Sequence, residues 1–179
     1  MLQIYITDLS AYNQGFLVGE HISLPKEEPE LIEDINRILG KGERVCNDFP
    51  HEEVFITDFE WNDIEIFKIG EFDNIQKLNQ KISLLLNEVE EQDYIKIKFL
   101  LENSFASSLE ESIEKLDNVI YYPDTTMIDI AEEYIENCYN LNDLPEIIQF
   151  HIDYAGIARD LEINGSFFQE NSDIFEYLD

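Results

Sequence analysis

Positive charge is scarce in this sequence. Its 179 residues hold 11 Lys+Arg against 40 Asp+Glu, a formal net charge of −29. Unspecific binding of DNA or RNA needs Lys and Arg to neutralise phosphates and release counterions, so nucleic acid repels this chain. An anionic membrane surface repels it for the same reason. Long hydrophobic runs are missing too. The longest stretch without a charge, Leu9 to Gly19, has eleven residues, well short of the roughly 18 needed to span a bilayer. Met1-Leu2-Gln3 lacks the basic start and apolar core of a signal peptide. Cysteine is limited to Cys46 and Cys138, which supply neither a disulfide framework nor ligand-like spacing and fit a reduced, cytoplasmic setting. No Gly/Ser-rich or Pro-rich linker, low-complexity stretch or internal repeat divides the chain.

The signatures of catalysis and cofactor binding are absent as well. Gly40-Lys41-Gly42-Glu43 is too short for a phosphate-binding loop, and no G-x-G-x-x-G, H-E-x-x-H or G-x-S-x-G occurs. His51-Glu52-Glu53 begins like a zinc-protease motif without its second histidine. His21, His51 and His151 are scattered singly and read as surface or core residues rather than ligands. Asp58-Phe59-Glu60 followed by Asp63 lacks the glycine of a calcium loop. The expectation is a protein that is not an enzyme and needs no metal or cofactor.

What is present is a folding chain. Hydrophobic residues make up 44% and aromatics 12%, near ordinary globular usage and unlike acidic disordered chains. The acid is not a tail: residues 1–90 carry 19 acidic and 7 basic residues, and residues 91–179 carry 21 and 4. From Leu116 onward 15 acids face one base, Arg159. No run of five or six like charges occurs; the carboxylates are interleaved with Ile, Leu, Phe and Tyr. Twenty-five isoleucines against five alanines argue against acid accumulated solely for life in high salt.

The pattern is α+β. Gln3 to Ile6 alternates like a strand, Asp8 to Gly15 reads as a turn or short helix, and Phe16 to Leu24 as a second strand. Pro29 suits the first turn of a helix with Leu31, Ile32, Ile35, Ile38 and Leu39 as its stripe and Gly40 as its stop. Val54-Phe55-Ile56 is a third strand. The middle is helical: Asp73 caps a helix carrying Ile75, Leu78, Ile82, Leu85, Leu86 and Val89 on one face, a second covers Asp93 to Glu102, and Ser107 with Glu110 or Ser108 with Glu111 starts a third. Val119 to Tyr122 is strand-like, Asp124 caps a helix to Cys138, and Pro145 opens another. Ser166-Phe167-Phe168 and Ile174 to Tyr177 pair around an Asn171-Ser172-Asp173 turn.

The helix after Asp124 carries the strongest functional signal. Asp129, Glu132, Glu133 and Glu136 fall at i, i+3, i+4 and i+7 and so share one face. Ile128, Ala131, Tyr134, Ile135 and Cys138 point the other way, with Cys138 as a small core residue. Like charges at this spacing cost roughly 0.2–0.5 kcal/mol per pair, and no Lys recovers that cost. Such a face is either plain solvated surface or a display of carboxylates for a basic partner. Duplex DNA carries one charge per ~1.7 Å, so −29 matches roughly 50 Å or about 15 base pairs, and a dimer about twice that.

Two strings resemble a known family. Ile4-Tyr5-Ile6-Thr7-Asp8-Leu9-Ser10-Ala11-Tyr12-Asn13-Gln14-Gly15, with Gly19 following, resembles the opening of the ArdA antirestriction proteins. Ile152 to Phe167, with its Asp153-Tyr154 and Ala158-Arg159-Asp160-Leu161, closing with Ile174-Phe175-Glu176, resembles their end. The likeness departs where Glu20-His21-Ile22 stands in place of a common tryptophan, where residues 41–53 read as an insertion, and in a middle third that matches only in helical character and charge.

The resemblance implies an elongated, three-part DNA mimic: residues 1–70 an N-terminal α+β unit, 71–117 a helical middle, 118–179 a C-terminal α+β dimerisation unit. It implies a cytoplasmic homodimer, borne on mobile elements such as conjugative transposons, that uses no cofactor. Its partner is the DNA-binding groove of a type I restriction–modification enzyme, with no nucleic acid or membrane bound. Asp117, Asp124, Asp129, Glu132, Glu133, Glu136, Asp143 and Glu146 are the candidate phosphate substitutes. Leu141 to Tyr154 lies where the family has its antirestriction motif, which makes Leu144, Ile147, Ile148 and Phe150 interface candidates. Arg159 is expected to brace the C-terminal fold through Asp160 or Asp153. The competing reading is an acidic chaperone or regulator shielding another basic, nucleic-acid-binding protein.

Overall fold

A computed structural model describes residues 2–178. The chain is α+β and divides into two compact units, residues 1–113 and 114–179.

In the first unit β1 (Leu2–Asp8) is the middle strand of an antiparallel sheet, flanked by β2 (Gly19–Leu24) and β3 (Val54–Trp61). The alternation of β1 sends Leu2, Ile4 and Ile6 to the buried face. Leu2 pairs with Leu24 and Ile4 with Ile22, and a bulge beside Tyr5 lets Ile6 face Ile56. Between β1 and β2, α1 (Leu9–Asn13) is capped by the Asp8 carboxylate, which accepts from the Ala11 amide at 2.9 Å. The second strand starts at Gly19 rather than Phe16; Phe16 and Leu17 are exposed.

The buried face is covered by α2 (Glu28–Cys46) through Leu31 and Ile38, and by α3 (Ile75–Glu88) through Ile75, Leu78 and Ile82. Gly40 does not stop α2, which runs on through Gly42 to a left-handed Asn47 (φ 52°). A side chain at Gly40 would have room, whereas a Cβ on Gly42 would lie 1.9 Å from Asp8 Oδ2. Gly42 is needed because Asp8, fully buried, pairs there with buried His51 (Nδ1···Oδ2 2.6 Å). Residues 41–53 thus complete a helix and return a histidine to the only buried carboxylate at the end of β1 among the described residues. His51 is the one histidine of the three in the core.

Asn74, not Asp73, caps α3, its side chain accepting from the Lys77 amide at 2.9 Å. Asp73 instead accepts from the Gly70 amide in the preceding turn. Tyr94, Ile97, Phe99 and Leu100 of α4 (Tyr94–Glu102) are buried. At α5 (Leu109–Glu114) the Ser108 hydroxyl accepts from the Glu111 amide, and Ser107 donates to the Glu111 carboxylate.

In the second unit β6 (Asp173–Tyr177) lies between β4 (Val119–Tyr122) and β5 (Phe167–Glu170), all antiparallel. Asn171, with φ 58°, makes the tight turn from β5 to β6. Among the described residues three helices complete this unit: α6 (Met127–Cys138), α7 (Glu146–Gln149) and α8 (Tyr154–Ile163). Asp153 caps α8 by accepting from the Gly156 amide. Met127, Ile130 and Ala131 of α6 pack with Ala158 of α8 and Ile174 of β6. The Tyr122 hydroxyl donates to Glu176 at 3.0 Å; burial, and then that carboxylate, pushes its pKa up to about 12.

No described helix is long and apolar enough to cross a membrane.

Candidate functional site

The acidic helix α6 starts at Thr126, not at Asp124. Thr126 Oγ1 accepts from the Asp129 amide, and the Asp129 carboxylate accepts in return from the Thr126 amide at 2.9 Å and its hydroxyl at 2.6 Å. This reciprocal cap satisfies donors that the first turn leaves open. The Thr126 hydroxyl, then its amide, hold the Asp129 carboxyl below the usual carboxylate range. Asp124 sits two residues upstream with φ 47°, a left-handed conformation that Asp tolerates. Its amide donates to Asp173 and its carboxylate accepts from Ser172 at 3.2 Å, fastening the approach to α6 onto the β5–β6 turn.

The four-residue carboxylate face is as the helical period requires. Asp129, Glu132, Glu133 and Glu136 are all exposed, while Met127, Ile130 and Ala131 are buried on the other side. The apolar face differs from expectation. Ile128 is 46% exposed at the flank of the buried stripe, and Tyr134 and Cys138 are exposed although they point in the direction of Ala131. The reason is coverage: the first half of α6 packs on Ala158 and Ile174, whereas its last turns are not covered within this unit. Cys138 is therefore a surface thiol, not a core residue.

The other candidate acids also face solvent. Asp117 lies in a single 3-10 turn before β4, Asp143 in a second such turn where it accepts from Asn140 Nδ2, and Glu146 in the first turn of α7. Glu132, Glu136, Asp117 and Glu146 make no side-chain hydrogen bond or ion pair among the described residues. The structure adds Asp160 and Glu162, exposed on α8, to the same acidic unit. They lie within the C-terminal string that carries the resemblance, but no periodic acidic pattern there singled them out.

Residues 114–179 hold sixteen acidic residues and two basic ones, Lys115 and Arg159. Arg159 is exposed and makes no ion pair among the described residues, so neither Asp160 nor Asp153 holds it as expected. The first unit uses its bases differently. Buried Asp34 is held by Lys26 and Arg37 at 2.7 Å each, and Glu20 by Arg37 and Lys41. The Lys26 hydrogen bond to Asp34 and the Arg37 hydrogen bond to Glu20 lower both carboxyls below their ordinary values.

Leu144, Ile147, Ile148 and Phe150 gather on and around α7, and 36%, 71%, 50% and 77% of each is exposed. Large apolar side chains this open, so close in sequence, leave a surface uncovered within the chain itself.

Fold and surface together define a small acidic α+β protein whose candidate site is a charged face. Among the described residues no group of three or more His, Cys, Asp or Glu is placed to hold a metal ion. A family model described as antirestriction protein (ArdA) matches residues 4–176, nearly the whole chain. The chain belongs to the ArdA antirestriction family, an inhibitor family rather than a known family of enzymes, and its partner is a component of a restriction system. No curated protein matches the chain.

Proposed function

We propose that the protein is a DNA mimic that inhibits type I restriction–modification enzymes by occupying their DNA-binding groove. The observation that carries this reading is the exposed, almost base-free carboxylate surface of residues 114–179. Exposed charge pairs are individually weak, so the attraction is spread over many carboxylates and is felt by a basic groove as a collective field. Asp117, Glu132, Glu133, Glu136, Asp143 and Glu146 act as phosphate substitutes; Asp124 and Asp129 contribute charge while also holding the start of α6. The uncovered apolar side chains Leu144, Ile147, Ile148 and Phe150 pair with a second copy, doubling the length of the imitation. In this reading residues 1–70, 71–117 and 118–179 are three successive segments of the mimic, the last making the dimer.

The test is competition on a purified type I methyltransferase between this protein and a labelled duplex. Mutual exclusion that weakens steeply with salt is expected; simultaneous binding would refute the reading. The variant E132Q/E133Q/E136Q separates charge from folding. It removes four like-charge contacts at i, i+3 and i, i+4, so it gains about 1 kcal/mol of stability while losing inhibition.

A further inference from the structure

We propose that the first unit carries a nucleotide-binding site, formed by a lysine groove and the apolar cavity that adjoins it. Lys68, in the loop after β3, and Lys77 and Lys81, one turn apart on α3, line one groove of about 140 Å³. None of the three makes an ion pair among the described residues, although forty carboxylates are distributed over the chain. Of the six other bases of this unit, Lys26, Arg37, Lys41, Lys96 and Lys98 pair with carboxylates, and Arg44 makes no ion pair among the described residues. Three ammonium groups lining one concave surface repel one another, and an anion relieves that repulsion. Lys81 Nζ is held 5.6 Å from the centre of the Phe67 ring, which keeps it over the groove.

Negative groups oppose an anion here and bound where it sits: Glu65 and Glu102 in the adjoining cavity, and two more beside the lysines themselves. Asp73 lines the groove, and the Glu110 carboxylate interacts with Lys81. The Asp73 carboxylate already accepts from the Gly70 amide. Carboxylates more than about 8 Å from the groove act weakly, because ionic strength near 0.15 M screens beyond that length.

The groove shares Phe67 and Lys68 with a cavity of about 550 Å³ whose apolar lining is Ile66, Phe67 and Leu101. That volume is typical of small-molecule sites, which are mainly apolar with a few polar groups fixing orientation. Its polar groups are of opposite kinds: Lys68 where it meets the groove, and the carboxylates of Glu65 and Glu102 in its own wall, the latter also 3.8 Å from Lys98 Nζ. A ligand that suits both needs a phosphate chain for the lysines, an apolar body for the cavity, and N–H donors for the carboxylates. A nucleotide with an exocyclic amino group on its base has all three. The acidic face of the second unit plays no part, so the inference stands or falls separately from the mimic reading.

The experiment titrates the full-length protein with ATP, adenosine and tripolyphosphate, free of divalent metal, reading amide and Lys side-chain NMR shifts together with calorimetry. ATP is expected to shift resonances of residues 65–68, 77–81 and 101–102 and to bind more tightly than either fragment. K68A/K77A/K81A, all at exposed positions, should weaken ATP at least about tenfold. Its melting curve and circular dichroism should match the parent. K68R/K77R/K81R should keep most of the affinity. Absence of binding at millimolar ATP, shifts confined to other residues, tripolyphosphate binding as tightly as ATP, or a triple alanine variant binding normally would each overturn the proposal.

Discussion

Replacing Gly42 and Gly40 separately by alanine probes how α2 is locked to β1. Both glycines are interior to one helix, so each substitution brings the same local gain of about 0.5–1 kcal/mol from helix propensity. At Gly40 the nearest atom to a new Cβ is Arg44 Nη1 at 3.7 Å, an ordinary contact, and the gain should survive. At Gly42 the Cβ would lie 1.9 Å from Asp8 Oδ2, 2.7 Å from its Cγ and 3.0 Å from His51 Nδ1. The Asp8 carboxylate cannot swing aside, because it is fully buried and held by the Ala11 amide at 2.9 Å and by His51 at 2.6 Å. Breaking a buried pair of this kind costs about 3–5 kcal/mol. Net of the helical gain, G42A should lose roughly 2–4 kcal/mol while G40A gains up to about 1.

The assay is thermal unfolding followed by the fluorescence of Trp61, the only tryptophan, which lies on β3 and so reports on the first unit. At this chain size each kcal/mol moves the melting temperature by roughly 2–4 °C. G42A should therefore melt several degrees below the parent and G40A slightly above it. In a D8A background, where the carboxylate is gone, the cost of G42A should largely vanish. If G42A proves as stable as G40A, the claim that Gly42 exists to admit the Asp8–His51 pair is wrong.

The remaining predictions concern charge, capping and assembly. T126A removes the hydroxyl half of the reciprocal cap on α6 and should cost about 1 kcal/mol of stability in the second unit, measurable by hydrogen exchange of the α6 amides. Asp34 has a folded pKa below its unfolded one, so its stabilisation is complete above the unfolded value near 4 and is lost as pH falls through the folded value. The stability gap between the parent and D34N, measured across pH, should therefore close on acidification; a gap that widens below pH 4 would contradict the pairing with Lys26 and Arg37. Replacing Ile147 and Phe150 by Ser should leave the melting of the monomer almost unchanged, since both are more than two-thirds exposed. On the proposed function it should abolish dimers in sedimentation experiments.

What the sequence by itself determined was periodic and compositional. Alternation from Gln3 to Ile6 puts Ile4 and Ile6 on one face of β1, because side chains on a strand change face at every residue. The 3.6-residue period places Asp129, Glu132, Glu133 and Glu136 together whatever surrounds α6, and the shortage of Lys and Arg in the last third leaves that face uncompensated. Two strings of residues were enough to point to the ArdA family, which the match over residues 4–176 establishes.

Tertiary structure alone decided which residues those faces meet. Tyr134 and Cys138 share a direction with buried Ala131 but are exposed, because coverage depends on Ala158 and Ile174, far away in the chain. Gly40 looks like a helix stop and Gly42 looks no different, yet only Gly42 faces a buried carboxylate contributed by residue 8 and a histidine contributed by residue 51. Lys68, Lys77 and Lys81 form no sequence motif; they become a groove because the loop after β3 lies against α3. Direction along one element is a local property of the backbone, whereas burial and convergence are properties of pairs of elements, and a single sequence carries the first far more openly than the second.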